Sequence, residues 1–161
     1  MPRQIDQQLN HALRLMANGV FVIAAKHEGE VRGFTATWVT QVSFDHPLVA
    51  VSVGKDHQTY PLIERSGELV INILSASQSD LARHFGRKSH QDKQEDRGYF
   101  EVIDGMETPI LAESLAFLHG TVISSSDARD HTVFIVEVTD ATVRRDEEPL
   151  LYWPKNGFVR R

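Results

Sequence analysis

Residues able to meet a polar ligand are concentrated in one stretch, Gly33-Phe34-Thr35-Ala36-Thr37-Trp38-Val39-Thr40-Gln41-Val42-Ser43-Phe44, just before the apolar run Leu48–Val53. A Thr-Ala-Thr segment offers hydroxyls and backbone N–H groups with little bulk around them. Such groups suit the carbonyls and ring nitrogens of a planar heterocycle, or a phosphate. The apolar run ends in Gly54-Lys55-Asp56-His57, where a flexible ammonium at a strand end is well placed for a phosphate. The same threonine-rich composition also makes a sound strand with no ligand. The eight histidines, at 11, 27, 46, 57, 84, 90, 119 and 131, are scattered. No i,i+4 pair falls on a predicted helix with a third ligand in view, so the residues point to no metal site. Carboxylate pairs such as Glu95-Asp96 and Glu147-Glu148 lie in polar stretches and read as solvated.

Other chemistries lack their residues. The chain has no cysteine, which excludes a disulfide framework, a zinc ribbon, an iron–sulfur cluster and a thiol nucleophile. There is no G-x-G-x-x-G, no G-x-x-x-x-G-K-[ST], no G-x-S-x-G and no H-E-x-x-H, so Rossmann, P-loop, serine-hydrolase and zincin readings have nothing to rest on. A formal charge of −5 argues against general nucleic-acid binding. The apolar runs near Val49–Val53 and Val133–Val136 are far short of the ~20 residues of a membrane span. Met1 to Asn18 contains no signal-peptide core. A soluble cytoplasmic protein is expected, with neither membrane nor nucleic acid as partner.

The elements that must position these residues follow from periodicity. Ile5, Leu9, Leu13 and Met16 recur at helical steps and predict a helix over about 3–18, stopped by Asn18-Gly19. Val20–Ala25, Phe34–Ser43 and Leu48–Val53 read as strands, with breaks at Glu28-Gly29 and Asp45-His46-Pro47. Thr59–Arg65 predicts a short helix, and Glu68–Leu74 another strand. Ser77 followed by Asp80 resembles a capping box before a helix over Ser79–Phe85, closed by Gly86. The stretch 87–98 holds no aliphatic residue and reads as a long polar loop or lid. Leu115–Ser124 alternates, Ser124–Asp130 reads as a turn, Thr132–Val143 is the longest β-type run, and Leu150–Trp153 adds a last strand. With 161 residues, this makes one domain over 1–161. Six to eight strands without strand–helix alternation predict a mainly β fold, a barrel with short helices on its rim.

The order of residues in the threonine-rich stretch resembles the signature of the flavin reductase-like family. The similarity continues through Ser66–Leu74, Leu81-Ala82-Arg83-His84-Phe85-Gly86, Asp130–Val138 and Pro149–Trp153, so it spans about Leu13 to Trp153. Arg129 stands where the family's Gly-Asp-His has glycine, and Asp45-His46-Pro47 where Asp-Pro-Pro is usual. The Thr-Ala-Thr-Trp wording is most similar to the flavoredoxin-like branch. The resemblance implies a split β-barrel of Greek-key type that binds FMN, with FAD as the variant.

It also implies roles. Thr35, Ala36, Thr37 and Trp38 would line the isoalloxazine, their donors facing the edge where charge accumulates on reduction. Ser52, Val53 and Lys55 would run past the ribityl chain to the phosphate, with His57 as a further donor. Phe85 and Gly86, with Arg87 or Lys88 beyond, would close over the cofactor. His131 would position the nicotinamide of NADH or NADPH; no residue need act as acid, base or nucleophile. Each has a structural alternative: a surface lysine, a helix cap, a packed Trp38, a histidine bonded to a nearby carbonyl. A homodimer is the implied assembly. The implied function is an NAD(P)H-dependent flavin reductase serving a partner oxygenase or other redox protein. Two alternatives stand beside it: an FMN electron carrier that uses no NAD(P)H, and a non-redox module binding flavin or haem.

Overall fold

The computed structural model describes residues 6–87 and 96–159. Among these, the main body is a seven-stranded antiparallel sheet in the order β3-β2-β6-β9-β10-β5-β4. Its strands are β2 (Phe21–His27), β3 (Glu30–Ala36), β4 (Val39–Ser43), β5 (Leu48–Gly54), β6 (Glu68–Ile73), β9 (Ala116–Ala128) and β10 (His131–Val143). The edge strands β3 and β4 are consecutive in sequence, joined by Thr37-Trp38, and the sheet stays open between them. The fold is mainly β. The expected extended stretch Phe34–Ser43 is therefore two strands, because the chain leaves one edge at Thr37 and joins the other at Val39.

β2 shows why its sequence is continuously apolar. Ile23 and Ala25 belong to a core shared with β3, β5, β6, β10 and helix α2 (Thr59–Ser66), while Val22 and Ala24 face a second core. A strand buried on both faces has no polar alternation. The second core is completed by helix α3 (Ser79–Phe85) and the hairpin of β7 (Phe100–Ile103) and β8 (Met106–Leu111). Asn72 on β6 ties that hairpin down: fully buried, it donates to the carbonyls of Val22 and Pro109 and accepts from the Leu111 N–H at 2.9 Å. A small sheet pairs β1 (Asn18–Gly19), β11 (Leu151–Trp153) and β12 (Gly157–Val159). The last predicted strand thus lies outside the main sheet.

Several expectations need correction. Ser124–Asp130 is not a turn; β9 runs through it to Ala128, and only Arg129-Asp130 connects to His131. The serines sit on the exposed end of a long hairpin, where strand pairing overrides composition. The N-terminal helix α1 covers only Gln7–Leu13, capped by the Asp6 carboxylate, and buries no residue. Helix α3 starts after Gln78, and the Ser77 hydroxyl bonds that of Ser75 at 2.9 Å, so no capping box forms. The polar loop 87–98, with Lys88 and His90, falls largely outside the described residues. No helix among the described residues is long and apolar enough to cross a membrane.

Candidate functional site

The ends of β3, β5 and β10 meet the first turn of α2 and the last turn of α3 around a cleft. It consists of two adjoining hollows of about 180 and 440 Å³ that share Phe34, Thr35, His57 and His131 as walls. The smaller adds Ala36, Thr37, Trp38, Ser52 and Gly54; the larger adds Arg32, Gly33, Asp56, Gln58, Thr59, Phe85, Gly86, Arg87 and Asp96. Sequentially distant stretches converge because β5 pairs with β10, setting Gly54 opposite His131, while the Ser52 N–H bonds the Trp38 carbonyl in the link between β3 and β4.

Local packing fixes each wall. The imidazole of His57 stacks on Phe34 at 4.2 Å and lies so close over Gly54 that an added Cβ would meet the ring at 2.8 Å. Glycine is required there by that approach. Thr35 donates its hydroxyl to the Ala82 carbonyl at 2.6 Å, tying β3 to α3. Its hydroxyl hydrogen is thereby committed to the protein, so what Thr35 offers a ligand is its backbone edge and oxygen lone pairs. β3 is an edge strand, and an edge exposes backbone N–H and C=O groups on its free side. Ser52 donates its backbone N–H to the Trp38 carbonyl at 3.0 Å, fixing the connection between the two edge strands.

On the opposite wall the exposed indole of Trp38 sits 5.0 Å from the His131 ring, tilted 50°. Nδ1 of His131 lies 2.9 Å from the Asp130 carboxylate. A carboxylate only accepts, so Nδ1 carries a proton, and whenever the ring is neutral Nε2 is left as the acceptor. The same bond holds the Asp130 carboxyl below the usual carboxylate range. Beside it, Lys55 is bonded to Asp127; this pair lowers the Asp127 carboxyl and raises the ammonium, in each case chiefly through their hydrogen bond.

Of the expected site residues, Thr35, Ala36, Thr37, Trp38, Ser52, His57, Phe85, Gly86 and His131 are brought together at the cleft. Two are not. Val53 is fully buried in the main core, since strand alternation sends it to the face opposite Ser52. Lys55 turns outward to Asp127 and lines neither hollow. Four lining residues were not expected at the site: Arg32, Gln58, Thr59 and Asp96, the last of which the sequence reads as solvated. Asp96 is buried, with His84 Nε2 2.8 Å from its carboxylate. Arg32 shares the buried face of β3 with Phe34 and Ala36; a cation at an alternating apolar position was its legible signal.

The cleft suits a flat heteroaromatic ring. It is bounded by aromatic and imidazole faces, has small residues at Ala36, Gly54 and Gly86, and adjoins a larger, polar hollow suited to a phosphorylated tail. Residues 13–158 match the flavin reductase like domain family. The chain is 32% identical over 143 residues to a high molecular weight rubredoxin of Moorella thermoacetica, covering 88% of this chain but 62% of that protein, under two thirds of its length. It is 32% identical over 155 residues to an NADH-dependent flavin reductase of Rhodococcus sp, covering 94% of this chain and 85% of that one. Among solved structures, the NADH:FAD oxidoreductase of Streptomyces globisporus C-1027 superposes with a TM-score of 0.83 at 28% identity, over 100% of this chain and 95% of the other.

Proposed function

The chain belongs to the flavin reductase-like family, and on that premise we propose that it moves hydride from NADH or NADPH to FMN, or to FAD, and passes reduced flavin to a partner such as an oxygenase. The observation that carries this reading is the cleft itself, where the Thr35–Trp38 edge and His131, held at Nδ1 by Asp130, line one space. A bound flavin would supply the redox chemistry by accepting one hydride, that is, two electrons and one proton. The chain's residues bind, orient and exclude water. The backbone edge of Thr35 to Trp38 supplies donors for the ring carbonyls, where donors stabilise added negative charge. His57 stacked on Phe34 forms a rigid side wall. His131, held in one tautomer by Asp130, accepts a carboxamide N–H at Nε2 and so fixes the nicotinamide against the flavin. In this reading β3 and β4 are the lips of a split barrel, and the working assembly is a homodimer.

The test is a visible spectrum of the purified protein with flavin under anaerobic conditions, followed by NADH and then NADPH. Bleaching by one nucleotide is expected. His131→Ala should slow it about 10- to 100-fold, by loss of positioning, with flavin affinity retained. A flavin that dithionite bleaches and neither nucleotide does overturns the reductase. That outcome leads to a second reading, an electron carrier to a protein partner, which the similarity to a high molecular weight rubredoxin favours.

A further inference from the structure

The smaller hollow is tight for what the proposed reaction asks of it. Hydride passes between two rings held in contact, yet the space beside Trp38 and His131 measures about 180 Å³. A pocket for one small ligand spans roughly 300–1,000 Å³. With the larger hollow given to a phosphorylated tail, a flavin ring and a nicotinamide ring cannot both enter while every wall stays in place. One wall side chain has to give way.

Most of the wall is held. The Thr35 hydroxyl is bonded to the Ala82 carbonyl, His57 lies on Phe34, and His131 is bonded to Asp130. Ala36 and Ser52 are short side chains on paired strands. Trp38 is different. It stands in the two-residue connection between β3 and β4, is 58% exposed, and is tied through its backbone carbonyl to the Ser52 N–H. Among the described residues its indole meets one other ring, His131, at 5.0 Å and tilted 50°. A third ring between them would need centroids about 7 Å apart, twice the ~3.5 Å contact distance of carbon atoms. The pair is therefore closed as it stands. Anchored by its backbone and free at its side chain, Trp38 opens the hollow by changing rotamer, at the cost of one aromatic contact.

We propose that Trp38 is a specificity-determining gate: its indole, leaning on His131, occupies the place of the nicotinamide, and a pyridine nucleotide displaces it to reach His131. The inference rests on the reductase reading above and adds the side chain that sets how tightly the nucleotide binds. A site open for only a fraction of the time binds its ligand more weakly by that fraction. Because the closed contact is one aromatic pair, the penalty is about two- to tenfold.

Calorimetric titration of NAD⁺ into the FMN-saturated protein tests this without any turnover, on the wild type, Trp38→Ala, His131→Ala and the double variant. Trp38→Ala should bind NAD⁺ about two- to tenfold more tightly, and its KM for NADH should fall by a similar factor. In the His131→Ala background no imidazole holds the gate shut, so the same substitution should change NAD⁺ affinity by less than about twofold. Trp38→Leu, which keeps apolar bulk without an aromatic face, should tighten binding in the same direction and is the variant to use should alanine not fold. Weaker or unchanged NAD⁺ binding in Trp38→Ala overturns the proposal, because the indole is then part of the nucleotide's own platform or no obstacle to it. So does an equal gain in both backgrounds, which means that the indole obstructs without leaning on His131. A wild type and a Trp38→Ala variant that both bind no NAD⁺ overturn the reductase reading itself, whereas a wild type that NADH bleaches, with no gain in Trp38→Ala, overturns only the gate.

Discussion

At the scale of single residues, the rim of the cleft is an electrostatic chain. Lys55 bonds Asp127, its backbone N–H bonds the Asp130 carbonyl at 2.9 Å, and the Asp130 carboxylate bonds His131. The Asp127 carboxyl is depressed in the folded protein. Its stabilising contribution is therefore present above the ordinary carboxylate pKa of about 4 and is lost as pH falls through the lower folded value. The Lys55 ammonium is raised, so its contribution is present below the ordinary lysine value and lost as pH rises through the higher folded one. Asp127→Asn should lower the denaturation midpoint slightly at pH 7, and the difference should close in acid and again in strong alkali. Because the pair is exposed, the difference at pH 7 should also shrink in high salt. A difference constant across pH overturns the electrostatic account. The two expected site residues that line neither hollow, Val53 and Lys55, belong to this scale as well: strand alternation already separates Ser52 from Val53, but no sequence pattern says which acid a lysine at a loop entrance will meet.

At the scale of elements, the β9–β10 hairpin is closed by the two residues between Ala128 and His131. Arg129 takes φ of 63° there, while Asp130 is not in the positive-φ region. That pattern favours glycine at the first position, and arginine meets the backbone demand at a cost. Left-handed backbone disfavours an L-residue by about 1–2 kcal/mol, and the greater unfolded freedom of glycine returns about 0.5–1. Arg129→Gly should therefore stabilise the fold by about 0.5–1 kcal/mol, read from urea denaturation, with His131 left in register. A destabilised variant would mean that the Arg129 side chain is needed. The turn that keeps His131 at the cleft was legible as a motif, but its serine-rich approach hid the strand that carries it. Conversely, the β7–β8 hairpin escaped a sequence reading although Asp104-Gly105, both at positive φ, stands between the paired Ile103 and Met106, a strong two-residue hairpin signal. The short strands on either side gave too little alternation to draw attention to it. β2, β5, β6 and β10 were legible because long apolar or β-branched runs leave few other outcomes.

At the scale of the whole molecule, the open sheet leaves β4 as an edge, and the apolar residues on and beside it face solvent: Phe44 is 91% exposed, Trp38 58% and Val42 51%. An edge strand flanked by large exposed apolar side chains is a surface for association. Trp38 also lines the smaller hollow, so a second copy seated along β4 would cover the indole and close that hollow from outside. Assembly and cofactor retention are then linked, because anything that binds only the paired form stabilises it. Light scattering on the eluting protein should give twice the 18.2 kDa chain mass. Phe44→Glu, far from the core, should shift the protein toward monomer and weaken flavin binding together. A wild-type monomer overturns the dimer, and a monomeric variant with full flavin affinity shows instead that one chain completes the cleft alone.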